Sequence, residues 1–197
     1  MTTFLSLQGS MAVGKTTALK YLQEHSSKAK VSYEENRHVI TEIHDRQLNK
    51  NNFGDYVEIQ RLFIQNELDR YKKYWNEKCV VMDFGSEEIY FHTLNFPLSK
   101  GPDWPVADAL ADELNELKEI LPKRILYLRA SLNTLRRNKE NDRTRGRGFF
   151  DTYVTTLLPL KEKWFANDDT VDFIDVDSLN SEQLGFAVQK WIEQQVI

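Results

Sequence analysis

Cysteine is almost absent from this chain, excess positive charge is missing, and no long apolar run occurs. Lys and Arg number 26 against 30 Asp and Glu, a formal net charge of −4. That mild acidity argues against a broad surface for a nucleic-acid polymer or an anionic membrane. Cys79 is alone, so an internal disulfide is excluded. Its setting before Val80, Val81 and Met82 reads as a buried structural thiol in a reducing compartment. No apolar stretch approaches the roughly 20 residues of a bilayer span. The first residues lack the basic n-region of a signal peptide, so the expected location is cytoplasmic. Five Pro and eight Gly exclude a collagen-like or Pro/Gly-rich chain, and a 12% aromatic share argues against intrinsic disorder. A length of 197 residues suits a single domain spanning 1–197.

What is present is an alternation of short apolar runs with longer amphipathic ones. Runs at 4–7, 31–33, 79–82, 124–128 and 171–176 read as strands. Segments 16–24, 56–75, 106–121, 132–137, 150–164 and 181–194 read as helices from their apolar spacing. Pro122 ends the third of these. Strands alternating with helices of ten or more residues predict an α/β fold: a five-stranded parallel sheet flanked by helices in three layers. The turn-rich stretch 95–105 reads as a surface loop or lid element.

The chemistry begins at Gly9-Ser10-Met11-Ala12-Val13-Gly14-Lys15-Thr16, which satisfies G-x-x-x-x-G-K-[ST] between a strand and a helix. Glycines let the backbone approach a ligand closely, and successive N–H groups then face phosphate oxygens. Lys15 brings a point charge to the β- and γ-phosphates, and the Thr16 hydroxyl is a hard oxygen ligand for Mg²⁺. Thr17 is placed to bond the α-phosphate. This motif predicts a P-loop binding a nucleoside triphosphate, with ATP and GTP both open, together with Mg²⁺. Asp83, ending an apolar strand, is the expected carboxylate beside the metal or the attacking group. Residues 136–147 hold six basic and two acidic side chains, a local charge of +4 that leaves −8 for the rest. Such a segment suits a lid, about 136–150, whose Arg137, Arg143, Arg145 and Arg147 offset charge on a transferring phosphoryl group.

Tyr127-Leu128-Arg129-Ala130-Ser131, the Arg-rich segment after it, and Leu157-Leu-Pro-Leu-Lys-Glu-Lys-Trp164 follow one another as in a known family. Over nearly its whole length the chain resembles the deoxynucleoside kinases, within the nucleoside and nucleotide monophosphate kinase group. The resemblance implies the P-loop nucleoside triphosphate hydrolase fold and phosphoryl transfer from ATP to a (deoxy)nucleoside or nucleoside monophosphate. It implies a general base just past the second strand, for which Glu34 and Glu35 are both candidates. It implies a base-reading helix Gln, for which Gln60 fits and Gln65 is the fallback. It places the loop after 173–177, including Asp177, against the adenine.

Three features depart from the family pattern. Its third-strand motif has Arg after the acidic residue, whereas this chain reads Asp83-Phe84-Gly85-Ser86. Its Pro after the base-like Glu is absent here, and its acidic lid residue gives way to Gly148-Phe149-Phe150. Aromatics including Phe84, Tyr90, Phe91 and Trp104 are candidates for an apolar acceptor slot. An antibiotic or other small-molecule phosphotransferase, or a nucleotide-binding regulator without transfer activity, is the alternative reading. His92 reads as a packed or solvent-facing helix residue. The long helices 56–75 and 106–121 are also compatible with a homodimer.

Overall fold

The five apolar runs all become strands: β1 (Thr3–Gly9), β2 (Lys30–Ser32), β3 (Cys79–Asp83), β4 (Arg124–Arg129) and β5 (Val171–Asp175). The structure is a computed structural model that describes residues 2–25, 28–142 and 148–196. Every pairing is parallel, in the order β2-β3-β1-β4-β5. All strands therefore deliver their C-terminal ends to one edge of the sheet. The chain leaves the central strand β1 there as the P-loop, with β3 on one side and β4 on the other. Crossovers depart in opposite directions from such a point and leave a crevice between them.

The helices are α1 (Lys15–His25), α2 (Arg37–Asp45), α3 (Phe53–Lys72), α4 (Ser86–Leu98), α5 (Val106–Ala109), α6 (Ala111–Lys118) and α7 (Leu132–Asn141). After these come α8 (Phe150–Thr152), a π-helical segment (Tyr153–Leu157), α9 (Leu158–Ala166) and α10 (Ser181–Gln195). Capping fixes several starts. The Asn52 side chain accepts from Asp55 N at 3.1 Å, and Asn180 with Gln183 closes a capping box on α10.

Three expectations change. The segment 95–105 is not all surface loop, because Asn95, Phe96 and Pro97 are buried in the last turn of α4. The helix expected over 106–121 breaks at Leu110, whose φ of −123° and ψ of 27° separate α5 from α6. The helix expected over 150–164 widens into a π segment just before Pro159, which has no N–H to donate.

Strand alternation sorts the core. Leu5 and Leu7 face the cluster formed with α1, α9 and α10, while Phe4 faces Val80, Met82, Tyr71 and Tyr74. Each such apolar side chain is worth about 1.5–3 kcal/mol when fully buried. A separate cluster of Tyr56, Ile64, Phe96, Leu110, Leu114 and Leu117 joins α3 to α4, α5 and α6. Cys79 is buried, and burial pushes its thiol up to about 11. No helix among the described residues is long and apolar enough to cross a membrane.

Candidate active site

The P-loop backbone takes conformations that its sequence permits. Gly9 and Gly14 have φ of 140° and 107°, and Ala12 has φ 64°. A Cβ on Gly9 would lie 2.6 Å from the Leu128 carbonyl of β4, so the loop's first residue has no room for a side chain. The Ala12 carbonyl accepts from the Asn138 amide at 2.9 Å, which ties α7 to the crest of the loop. The loop opens into a cleft of about 780 Å³. Met11, Ala12, Val13, Gly14, Lys15, Thr16 and Thr17 form its floor.

Lys15 is nearly buried. Its Nζ donates to the carbonyls of Ser10 at 3.0 Å and Gly9 at 3.4 Å. Burial first, then repulsion from Lys161, lowers its pKa to about 8. Ser10 is buried, and its carbonyl and that of Gly9 hold the lysine rather than line the cleft.

On the β3 side, Glu34, Asp83 and Phe84 line the cleft. Glu34 enters from the loop after β2 and accepts from Asn36 Nδ2 at 2.6 Å. Its residue surface is open to solvent, but it belongs to the cleft wall. Burial there, followed by the carboxylates of Glu88 and Asp83, raises its pKa. Glu35 points elsewhere, largely exposed and 3.9 Å from Lys73. The structure thus separates the two base candidates and gives the cleft to Glu34. Phe84 has φ 52°, a left-handed conformation costly for a bulky side chain. Arg70 of α3 donates to the carbonyls of Asp83, at 3.3 Å, and Phe84. Arg70 also pairs with Glu67 at 2.8 Å, and burial holds the Glu67 carboxyl up at about 7. A buried guanidinium therefore braces the turn where the sequence lacks its expected arginine.

On the β4–β5 side the cleft is lined by Thr134, Arg137, Val176 and Leu179. Asp177 is not among the lining residues. It accepts from Ser131 N at 2.8 Å, which lowers its pKa and joins the loops after β4 and β5. The remaining lid candidates, Arg143, Arg145 and Arg147, lie outside the described residues.

Two acceptor-site candidates are not brought to the cleft. Gln60 is buried and accepts from Thr93 Oγ1 at 2.9 Å, inside the packing of α3 on α4. Tyr90 lies against Trp164 and Lys118. Phe91 is fully buried and Trp104 packs on Phe53 and Tyr56, so both belong to the core. His92 stacks on Phe96, and burial lowers its pKa.

Sequence reasoning did not single out Arg70, and it met Asn138 and Lys161 only as members of longer segments. Each is a single polar residue on a helix, indistinguishable by spacing from a solvated one. Lys161 is fully buried, 2.7 Å from Glu88 and 3.3 Å from the Gly9 carbonyl.

No family model and no curated protein matches the chain. Solved structures do. Thymidylate kinase from Candida albicans superposes with a TM-score of 0.66 and 16% identity, covering 98% of this chain and 92% of that one. Deoxyadenosine kinase from M. mycoides, solved with dCMP and dCDP, gives a TM-score of 0.67 and 16% identity, covering 97% and 99%. The chain shares the fold of these two structures, a five-stranded parallel sheet flanked by helices with a P-loop after β1. Within that fold, the strand order brings the P-loop and the end of β3, with Glu34, Asp83 and Phe84, to one cleft. Thr16 and Asp83, both on the cleft wall, offer a hydroxyl and a carboxylate oxygen, a donor set that suits Mg²⁺. Mg²⁺ keeps several waters and phosphate ligands, so it does not need a cluster of protein carboxylates. Among the described residues no group of three or more His, Cys, Asp or Glu forms a metal cluster.

Proposed function

We propose that this protein transfers the γ-phosphoryl group of ATP to a small acceptor, a (deoxy)nucleoside or nucleoside monophosphate. The observation that carries the reading is the single cleft in which the P-loop, Glu34, Asp83 and Phe84 all take part. Glu34 accepts the proton of the acceptor hydroxyl as its oxygen bonds to the γ-phosphorus. The bond from that phosphorus to the β,γ-bridging oxygen breaks, and ADP leaves. Lys15 and Arg137 offset charge spreading over the equatorial oxygens. Thr16 and Asp83 would hold Mg²⁺, which would supply a hard cation to neutralise phosphate charge.

Glu34 at the acceptor end favours a hydroxyl compound, whose proton it would accept. Glu34 and Asp83 are acidic, and Phe84 is apolar. The described cations lining the cleft, Lys15, Lys20 and Arg137, come from the P-loop helix and α7. Phe84 in place of Arg supports one competing reading, a nucleotide-binding regulator without transfer activity.

The test is acceptor-dependent ADP formation from MgATP with nucleosides, nucleoside monophosphates and hydroxylated antibiotics. Turnover with nucleosides supports the reading. Turnover only with an antibiotic assigns a different phosphotransferase. Tight ATP binding with no turnover on any acceptor assigns the regulator.

A further inference from the structure

The acceptor end contains a charge arrangement that the mechanism above does not use. Lys161 projects from α9, the helix after the lid segment, and its side chain is wholly buried. Its ammonium donates to the Gly9 carbonyl at 3.3 Å and pairs with Glu88 of α4 at 2.7 Å. It also lies 4.5 Å from the centre of the Phe84 ring. Lys15 occupies the same surroundings, 3.4 Å from the same Gly9 carbonyl and 4.0 Å from the same ring. Two ammonium groups thus share one carbonyl and one aromatic ring.

We propose that Lys161 is a positioning residue for phosphoryl transfer, fixing the Gly9 carbonyl and the Phe84 ring and setting a second buried cation beside Lys15. The proposal rests on the kinase reading above. Its physical basis is the cost of the arrangement. Burying an ammonium is expensive, and a methionine of similar length fills such a space without that penalty. Placing a second cation next to the first adds repulsion. Glu88 offsets part of this cost, and the rest is offset when negative charge develops on the transferring phosphoryl group, so the site is arranged in advance for the transition state. The ring at 84 contributes because its negative face attracts cations. Arg70 holds the Phe84 carbonyl and so keeps the ring in place. The charge expected from an arginine at 84 is supplied instead by a lysine 77 positions later in the sequence. Lys161 also connects the helix that follows the lid to the first residue of the P-loop.

The experiment compares wild type with Lys161→Met, Lys161→Met/Glu88→Gln and Lys161→Arg in steady-state phosphoryl transfer, with thermal melting as the check on folding. The double variant avoids stranding the Glu88 carboxylate. Either Met variant, when folded, is expected to lose about 100-fold in kcat, the scale of removing one preorganised electrostatic contact. Its KM for MgATP should stay within about threefold, because that loss is confined to the transition state. Lys161→Arg should recover at least about tenfold of the kcat loss, since it restores the charge. A folded Met variant with wild-type kcat overturns the proposal. So does a loss confined to KM, or an Arg variant no better than Met. If wild type itself turns over no acceptor, the kinase reading falls and this proposal falls with it. Turnover by wild type and by the folded Met variant alike removes only the proposal.

Discussion

Replacing Lys15 with Met should make the protein more stable and inactive together. Lys15 is only 9% exposed, and its pKa is lowered from 10.5 to about 8 by burial and by Lys161. The folded protein therefore gives up this proton more readily than the unfolded chain does. Below pH 8 both states are charged and the folded state carries the full penalty. Between about 8 and 10.5 the unfolded chain binds more protons, so stability climbs with pH. A displacement from 10.5 to about 8 corresponds to roughly 3 kcal/mol at 1.36 kcal/mol per pKa unit. The hydrogen bonds to Gly9 and Ser10 offset part of this, at about 0.5–1.5 kcal/mol each. The net gain for Lys15→Met at pH 7 is then about 0–2 kcal/mol, or up to roughly 8 °C in Tm for a chain of this size. Calorimetry at pH 7 and pH 9.5 should find the gain large at the first and smaller at the second, where wild-type Lys15 is mostly neutral. Phosphoryl transfer should drop by at least about 100-fold at pH 7. A Met variant less stable than wild type at pH 7, or equally stabilised at both pH values, refutes the electrostatic argument. Undiminished transfer refutes the site.

Glu34→Gln should lower kcat by about 100- to 10,000-fold, the usual worth of a general base, while Glu35→Gln stays within about twofold. Equal losses in steady-state kinetics would show that exposure and the Lys73 contact do not distinguish the two. The acidic limb of kcat/KM should lie above the ordinary carboxylate range in wild type, because the Glu34 pKa is raised, and should vanish in Glu34→Gln. Gln60→Ala should cost stability rather than acceptor affinity, about 1–3 kcal/mol, since Thr93 Oγ1 is left without its buried acceptor. A raised acceptor KM with an unchanged Tm would return Gln60 to the acceptor site.

The parts of the fold legible in sequence were those whose signal is local. Strands β1, β3 and β4 are short apolar runs bounded by polar residues, and the P-loop declares its own turn and helix start. Helix α4 was missed because it buries Ser86, Glu87, Thr93 and Asn95 beside Phe91 and Phe96, and its last turn contains Pro97. Polar residues on the inward face erase the period on which helix reading depends. They are tolerated there because partners elsewhere satisfy them. Glu87, for example, accepts from Ser6, from Gln8 at 2.6 Å and from Gly85 N at 3.0 Å. Helix α2 buries only Val39, so it has almost no inward face to detect. The choice between Glu34 and Glu35 had the same character. Two adjacent carboxylates carry identical local signals, and only the path of the chain after β2 turns one of them into the cleft.

The charged groups around the end of β3 form one electrostatic unit. Glu34, Glu67 and Glu87 all have raised pKa values, with burial the leading cause in each, and Glu67 reaches about 7. Raised carboxyl pKa values mean that the folded state holds these protons more tightly than the unfolded chain. Their stabilising effect is fullest below about pH 4.5 and drains away as pH rises through the folded values. Lys15, with its lowered pKa, restores stability only as pH climbs from about 8 toward 10.5. Together these groups hollow out stability around neutrality, in the interval between Glu67 losing its proton and Lys15 losing its own. The same interval leaves Lys15 largely cationic. A fold selected for stability alone gains by replacing this cluster with apolar side chains. Its place beside the P-loop fits the proposed phosphoryl transfer, in which an incoming triphosphate would compensate the lysines.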